Sequence, residues 1–227
     1  MRSGHHLTLN LHGLGAPPGH VPPEEIRYWL PVDLFVEILD RVAHIPHVRL
    51  TFDDGNASDF ELALPELTKR SLHAEFFVLA GRIGQTGYLN PSQLRGLLAA
   101  GMEVGLHGMA HRSWAECDAA QLQVEVDEAR RQIEAAIGRS VTRAACPFGS
   151  YNAPCLRKLK LSGFDRVYTS DGGVAREDEW LQCRNTLQSD QGLEYVQTLV
   201  EQPPVGLRDL RRRFRTFVKS KRGSLLL

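Results

Sequence analysis

The sequence predicts an α/β fold in which a parallel sheet, open or closed into a barrel, is built from repeated strand–helix units. Two observations predict it. Short apolar or alternating runs recur along the 227 residues, and segments with helical spacing fall between them. A third supports it: glycines stand where helices should stop, at Gly101, Gly138 and Gly163.

In chain order, Leu7 to Leu11 reads as the first strand and Val32 to Val42 as a helix. Val48 to Phe52 is the next strand, and Asp59 to Arg70 a helix with Ser58 as its cap. Ala74 to Ala80 is a strand; the helix Ser92 to Ala100 follows, introduced by Asn90 and Pro91. Glu103 to Leu106 and Thr142 to Cys146 are strands on either side of the long helical pattern Ala119 to Ile137. Pro154 to Leu161 is a helix, and Arg166 to Tyr168 a further strand. No repeat or pooled Pro/Gly linker divides the chain, so residues 1–206 are expected to form one domain, with 207–227 a basic amphipathic tail.

Composition narrows the function. With 42% apolar and 24% charged residues, disordered and fibrous classes are excluded. Lysine plus arginine and aspartate plus glutamate both count 27, so no global field draws the chain to nucleic acid or an anionic membrane. The charge is uneven, because residues 208–227 hold eight basic residues and one acidic. There Leu207, Leu210, Phe214, Phe217 and Val218 recur at helical spacing among arginines and lysines. A terminal helix docked by its apolar face is expected; a sharper expectation is a peripheral membrane contact near a lipid-linked sugar. Cys117, Cys146, Cys155 and Cys183 show no C-x-x-C spacing and read as reduced. No apolar run approaches the ~18 residues of a membrane span, and Met1 to Asn10 lacks the apolar stretch of a signal peptide, so a cytoplasmic location is expected.

Three segments carry chemistry. Leu50-Thr51-Phe52-Asp53-Asp54-Gly55 runs an apolar strand into two carboxylates, at the strand end where α/β folds build their sites. Neighbouring side chains of an extended segment point to opposite sides, so the two acids are expected to differ in role, one holding a metal while the other faces a reacting water. An ordinary solvated turn has the same letters. His107 and His111, four apart, can converge on one cation with a carboxylate from another strand, or simply cap a turn. Cys146-Pro147-Phe148-Gly149 ends a strand in a turn that can aim a backbone N–H at an oxyanion, or merely stops the strand.

In this order the three segments resemble the motifs of the polysaccharide deacetylases, the NodB-type carbohydrate esterases. Thr51 to Gly55 looks like the family's first motif, His107 to His111 like its H-[ST]-x-x-H, and Cys146 to Gly149 like its third. The stretches Ala63-Leu64-Pro65, Ala74 to Val78 and Gly101 to Gly105 extend the likeness across roughly Leu7 to Gly173. The resemblance implies a distorted (β/α)7 barrel, Asp53 as general base, and Asp54, His107 and His111 as metal ligands. It also implies Phe148, with Pro147, as the oxyanion donor.

Three departures stand against it. Gly108 replaces the motif hydroxyl, Ala145 stands where an arginine usually orients the catalytic aspartate, and no histidine follows His111 to serve as general acid. The run Leu7 to Gly15 contains His12 after a strand and resembles the first strand of circularly permuted members, so His12 is the expected acid. Arg184 is the candidate for the missing arginine, and Asp171 for an acid that tunes the base or the histidine. The remaining histidines fit no ligand pattern.

The expected activity is metal-dependent removal of N-acetyl groups from an amino sugar in a poly- or oligosaccharide or glycan precursor, with metal-bound water as nucleophile. Zinc is the first choice of ion; two histidines and a carboxylate also suit iron or cobalt. The rival is a barrel that binds a glycan without cleaving it. A phosphoryl-transfer hydrolase would need D-x-D and has no use for the two histidines.

Overall fold

The computed structural model describes residues 4–19, 21–203 and 216–222. Six strands lie side by side, each parallel to the last: β1 (His5–Leu11), β2 (Val48–Asp54), β3 (Ala74–Val78), β4 (Glu103–Leu106), β5 (Arg143–Ala145) and β6 (Arg166–Thr169). β7 (Val174–Arg176) runs antiparallel along β1. β8 (Leu181–Cys183) joins β6, and β9 (Asn185–Thr186), one residue further on, pairs with β1, both in parallel. The run 181–186 thus links the two edges of the sheet and closes a distorted (β/α) barrel of seven parallel positions, the architecture the motifs imply.

The helices are α1 (Val32–Val42), α2 (Leu64–Lys69), α3 (Pro91–Ala99), α4 (Ala119–Leu122), α5 (Ala129–Ile137), α6 (Ala153–Leu161) and α7 (Gly192–Glu201). A π-helical turn, Asp59–Ala63, leads into α2, and a second, Gln123–Glu128, joins α4 to α5 in one continuous helix. Asn90 caps α3 as expected, its Oδ1 accepting the N–H groups of Ser92 and Gln93. Ser58 does not cap its helix; its hydroxyl accepts the Leu14 N–H at 3.1 Å and ties the loop after β1 to the start of the helical segment.

Alternation along the strands sorts two interiors. Leu7, Leu9, Leu11, Leu50, Phe52, Phe76 and Val78 face the helices, with Phe52 and Phe76 stacked at 4.7 Å between centroids. The alternate residues Asn10, Thr51, Asp53, Phe77, Tyr168 and Arg184 meet on the inner face. Gly105 is required there, since a Cβ would stand 2.5 Å from the Phe77 ring.

His6 on β1 is buried, and burial together with Arg49 lowers its pKa to about 4. Its folded pKa lies below the ordinary 6.5, so the stability it supports is complete above about pH 6.5 and lost as pH falls toward 4. Replacing His6 by Leu is expected to remove about 2–3 kcal/mol of the acid-induced loss, read as urea midpoints at neutral and acidic pH.

The expected tail helix lies largely outside the described residues, which include only Thr216 to Arg222 of it. That segment is tied to the barrel: Lys219 pairs with Asp171, Thr216 donates to Asp171, and the Arg222 carbonyl accepts the Ala153 N–H. The expected lipid contact is not borne out here, because the Lys219 ammonium turns inward to Asp171. Among the described residues no helix is long and apolar enough to cross a membrane.

Candidate functional site

A cleft of about 450 Å³ opens at the carboxyl ends of the strands. Asp53 and Asp54 enter it from the end of β2, His107 and His111 from the loop after β4, and His12 from the end of β1. Phe148 and Asp171 lie on its wall, and Arg184 reaches it between β8 and β9.

Strand geometry alone would send Asp53 and Asp54 to opposite faces. Asp54 instead adopts a left-handed backbone, φ 78°, followed by Gly55 at φ 71°, and both carboxylates open on the same space. This corrects the expected divergence while leaving the two acids in different surroundings. Of the four non-glycine residues with positive φ among the described residues, Asp54, His111 and Phe148 line this cleft. Such backbones cost of order 1–3 kcal/mol each and persist where the surroundings dictate them.

Asp54 Oδ1 lies 3.6 Å from His107 Nε2 and 3.5 Å from His111 Nε2. His107 Nδ1 is 2.9 Å from the Ala145 carbonyl, which only accepts; the ring proton therefore sits on Nδ1, and Nε2 presents a lone pair. Burial lowers His107 to about 3 and depresses His111 as well, so both rings are neutral near pH 7. Asp54 Oδ1 is buried with no hydrogen-bond partner. Two imidazole Nε2 atoms converging on an orphaned carboxylate oxygen fit a cation, and their distances to that oxygen match the ~3.4 Å edge of a tetrahedral ion with ligands at about 2.1 Å. Among the described residues this is the group of acidic, histidine or cysteine ligands able to do so, its atoms within 4.8 Å of one another.

Asp53 is held differently. Arg184 Nη1 and Nη2 donate to its two oxygens at 2.7 and 2.8 Å, and Asn10 Nδ2 adds 3.0 Å to Oδ2. Burial alone would raise this carboxyl, yet the Arg184 guanidinium, with His107, holds it well below the usual range. Asn10 Oδ1 in turn accepts from Thr51 and from Arg184. Arg184 is fully buried, its guanidinium near the Phe77 and Tyr168 rings at 5.4 and 5.7 Å.

The other candidates divide. The His12 ring stacks on Tyr28 at 5.1 Å, and burial depresses its pKa against the opposing pull of Asp54 and Asp53. Phe148, 63% exposed, lies over the His111 ring at 4.2 Å, with Pro147 buried beside it. Asp171 accepts from Tyr151 at 2.7 Å and Thr169 at 3.0 Å and pairs with Lys219, which directs it to the wall of the cleft.

Three residues escaped the sequence reading. Asn10 alternates with leucines on β1, and that polar position in an apolar strand was its signal. Glu25, from the loop before α1, has Oε1 3.8 Å from His111 Nδ1; nothing local marks it. Glu125 is buried and accepts the Met109 and Ala110 N–H groups. Its signal is a carboxylate inside the stripe Leu122, Val126, Ala129, Ile133.

Comparison with known proteins gives a consistent picture. The polysaccharide deacetylase family model matches residues 41–167. The chitooligosaccharide deacetylase of Sinorhizobium fredii is 32% identical over 127 residues, 55% of this chain and 57% of that protein. The chain spans about half the length of the curated relatives it matches. Among solved structures, the Streptococcus pyogenes deacetylase PplD in complex with acetate superposes with TM-score 0.74 at 19% identity, over 86% of this chain and 98% of that one. A polysaccharide deacetylase from Bacillus cereus gives 0.75 at 14% identity, over 86% and 69%. At these identities the structural likeness concerns the fold alone.

Proposed function

This chain belongs to the polysaccharide deacetylase family, and from that premise we propose that it is a metal-dependent hydrolase removing the N-acetyl group from an amino sugar in a polysaccharide, oligosaccharide or glycan precursor. The observation that carries the reading is the orphaned Asp54 Oδ1 between the Nε2 atoms of His107 and His111, beside an Asp53 fixed on both oxygens. Asp54, His107 and His111 would hold the ion, zinc first, with iron or cobalt suited to the same donors. When bound, such an ion supplies Lewis acidity and a water ionised near neutral pH.

The protein's own groups do the rest. Asp53 accepts the proton of the attacking water through Oδ2, the oxygen 3.9 Å from His107 Nε2. Its clamp keeps it ionised and oriented, so it takes the proton without reorganising. Water oxygen bonds to the acetamide carbon, and the developing oxyanion accepts the Phe148 backbone N–H, held in its turn by Pro147. The neutral His12 ring takes up the proton that Asp53 removed from water and passes it to nitrogen as the C–N bond breaks, releasing acetate and a free amine. Arg184 takes the place of the arginine missing at Ala145, and Asp171 is held at the wall of the cleft by Tyr151, Thr169 and Lys219.

The test is acetate release by zinc-loaded protein from chito-oligosaccharides and lipid-linked N-acetyl sugars. Release supports the reading. Glycan binding without any acetate would favour a barrel that holds its ligand uncleaved. His111→Ala is expected to reduce bound zinc from about one ion per chain to near zero, measured by elemental analysis after dialysis, with activity lost in parallel.

A further inference from the structure

Between His107 and His111 the backbone is held by a side chain from another element. Glu125 is 2% exposed and projects from the helix face that also buries Leu122, Val126 and Ala129. A carboxylate among apolar residues is costly unless its oxygens are satisfied. Here Oε2 accepts the Met109 N–H at 2.9 Å, and Oε1 the Ala110 N–H at 3.2 Å. Both amides belong to the loop between the histidines. Two local features make the approach feasible. The π-helical turn Gln123–Glu128 shifts the side-chain phase, leaving Val124 39% exposed while Glu125 turns inward. Gly108, at φ 103°, has no side chain where a Cβ would stand 2.6 Å from Glu125 Oε2. Bare backbone at 108 and a long acid at 125 therefore belong together: one leaves the space that the other fills.

We propose that Glu125 is a positioning residue of the metal centre, a buried carboxylate that clamps the loop between two ligands and sets their separation before the ion arrives. The proposal rests on the reading that His107 and His111 hold the ion. Its mechanism is the outer-shell support that orients metal ligands, loss of which costs about 10–100-fold in affinity.

The experiment uses the full chain, wild type and the variants Glu125→Gln and Glu125→Ala. The first readout is hydrogen exchange at Met109 and Ala110 in metal-free protein, with exchange elsewhere in the barrel as control. The second is zinc affinity by chelator competition. The Gln variant preserves volume and one acceptor, so it remains informative if the Ala variant does not fold. Exchange at the two amides is expected to accelerate about tenfold or more in Glu125→Gln, with zinc affinity falling by about 10–100-fold and the control amides unmoved. Unchanged zinc affinity in both variants, against a wild type that binds, overturns the proposal alone. A wild type that itself fails to bind zinc overturns the metal reading and this role with it.

Discussion

Asp53→Asn is expected to lower kcat by about 10²–10⁴-fold while zinc content stays at the wild-type level. Asparagine has nearly the same volume but cannot accept a proton at neutral pH. It also presents an NH₂ group to a site where Arg184 and Asn10 already donate to both oxygens. One of those donors then faces another donor and the buried Arg184 charge loses its carboxylate, at a cost of about 3–5 kcal/mol, so a clear fall in melting temperature should accompany the loss of turnover. The proposed metal ligands, Asp54, His107 and His111, are untouched. The check is a kcat measurement beside elemental analysis and thermal unfolding of the same preparation. A variant that keeps a tenth or more of wild-type turnover would remove Asp53 from its role.

Arg184→Met is expected to destabilise the barrel by about 3–5 kcal/mol. Its guanidinium is fully buried, bidentate to Asp53, and also bonded to Asn10 and Thr51. Removing it leaves a buried carboxylate without its cation, which is far worse than never having had the pair. For a chain of this size the loss corresponds to roughly 6–20 °C in melting temperature. Arg184→Lys should fall between, because a single ammonium cannot form the two parallel bonds. The control is Asp53→Leu/Arg184→Met, where apolar groups replace both charges and stability should return toward wild type. Thermal and urea unfolding of the set decides it; an Arg184→Met protein within about 1 kcal/mol of wild type would mean that the buried pair contributes little.

Periodicity carried most of the fold. Val32–Val42 and Glu103–Leu106 match the expected elements residue for residue; in the helix the burial of Phe35, Ile38, Leu39 and Val42 follows the 3.6 repeat, while the strand is buried on both faces after Glu103. β7 and β8 hold three residues each, too few for a repeat to register, and α7 begins at Gly192 after Gln191, whose side chain makes no cap to announce it. In the site, the candidate ligands were legible because each stands in a short motif at a strand end. Side-chain direction was not. The convergence of Asp53 and Asp54 depends on one left-handed residue that no local pattern requires. Arg184 could be proposed from the sequence, but its complete burial follows only from barrel closure, which sets a charge beneath a carboxylate 131 positions away. Glu125 stayed hidden because a glutamate in a helix is ordinarily read as solvent-facing.

The closing strand carries a temporal consequence. Asn10, Asp53 and Arg184 come from β1, β2 and the kink before β9, and the Arg184–Asn10 bond spans 174 positions. Contacts so distant in sequence are entropically expensive to form and assemble slowly. A nascent chain from which residues 181–186 have yet to emerge therefore has its carboxylates and imidazoles but lacks the Arg184 clamp on Asp53. On the proposed mechanism, turnover is expected only after that seam has closed.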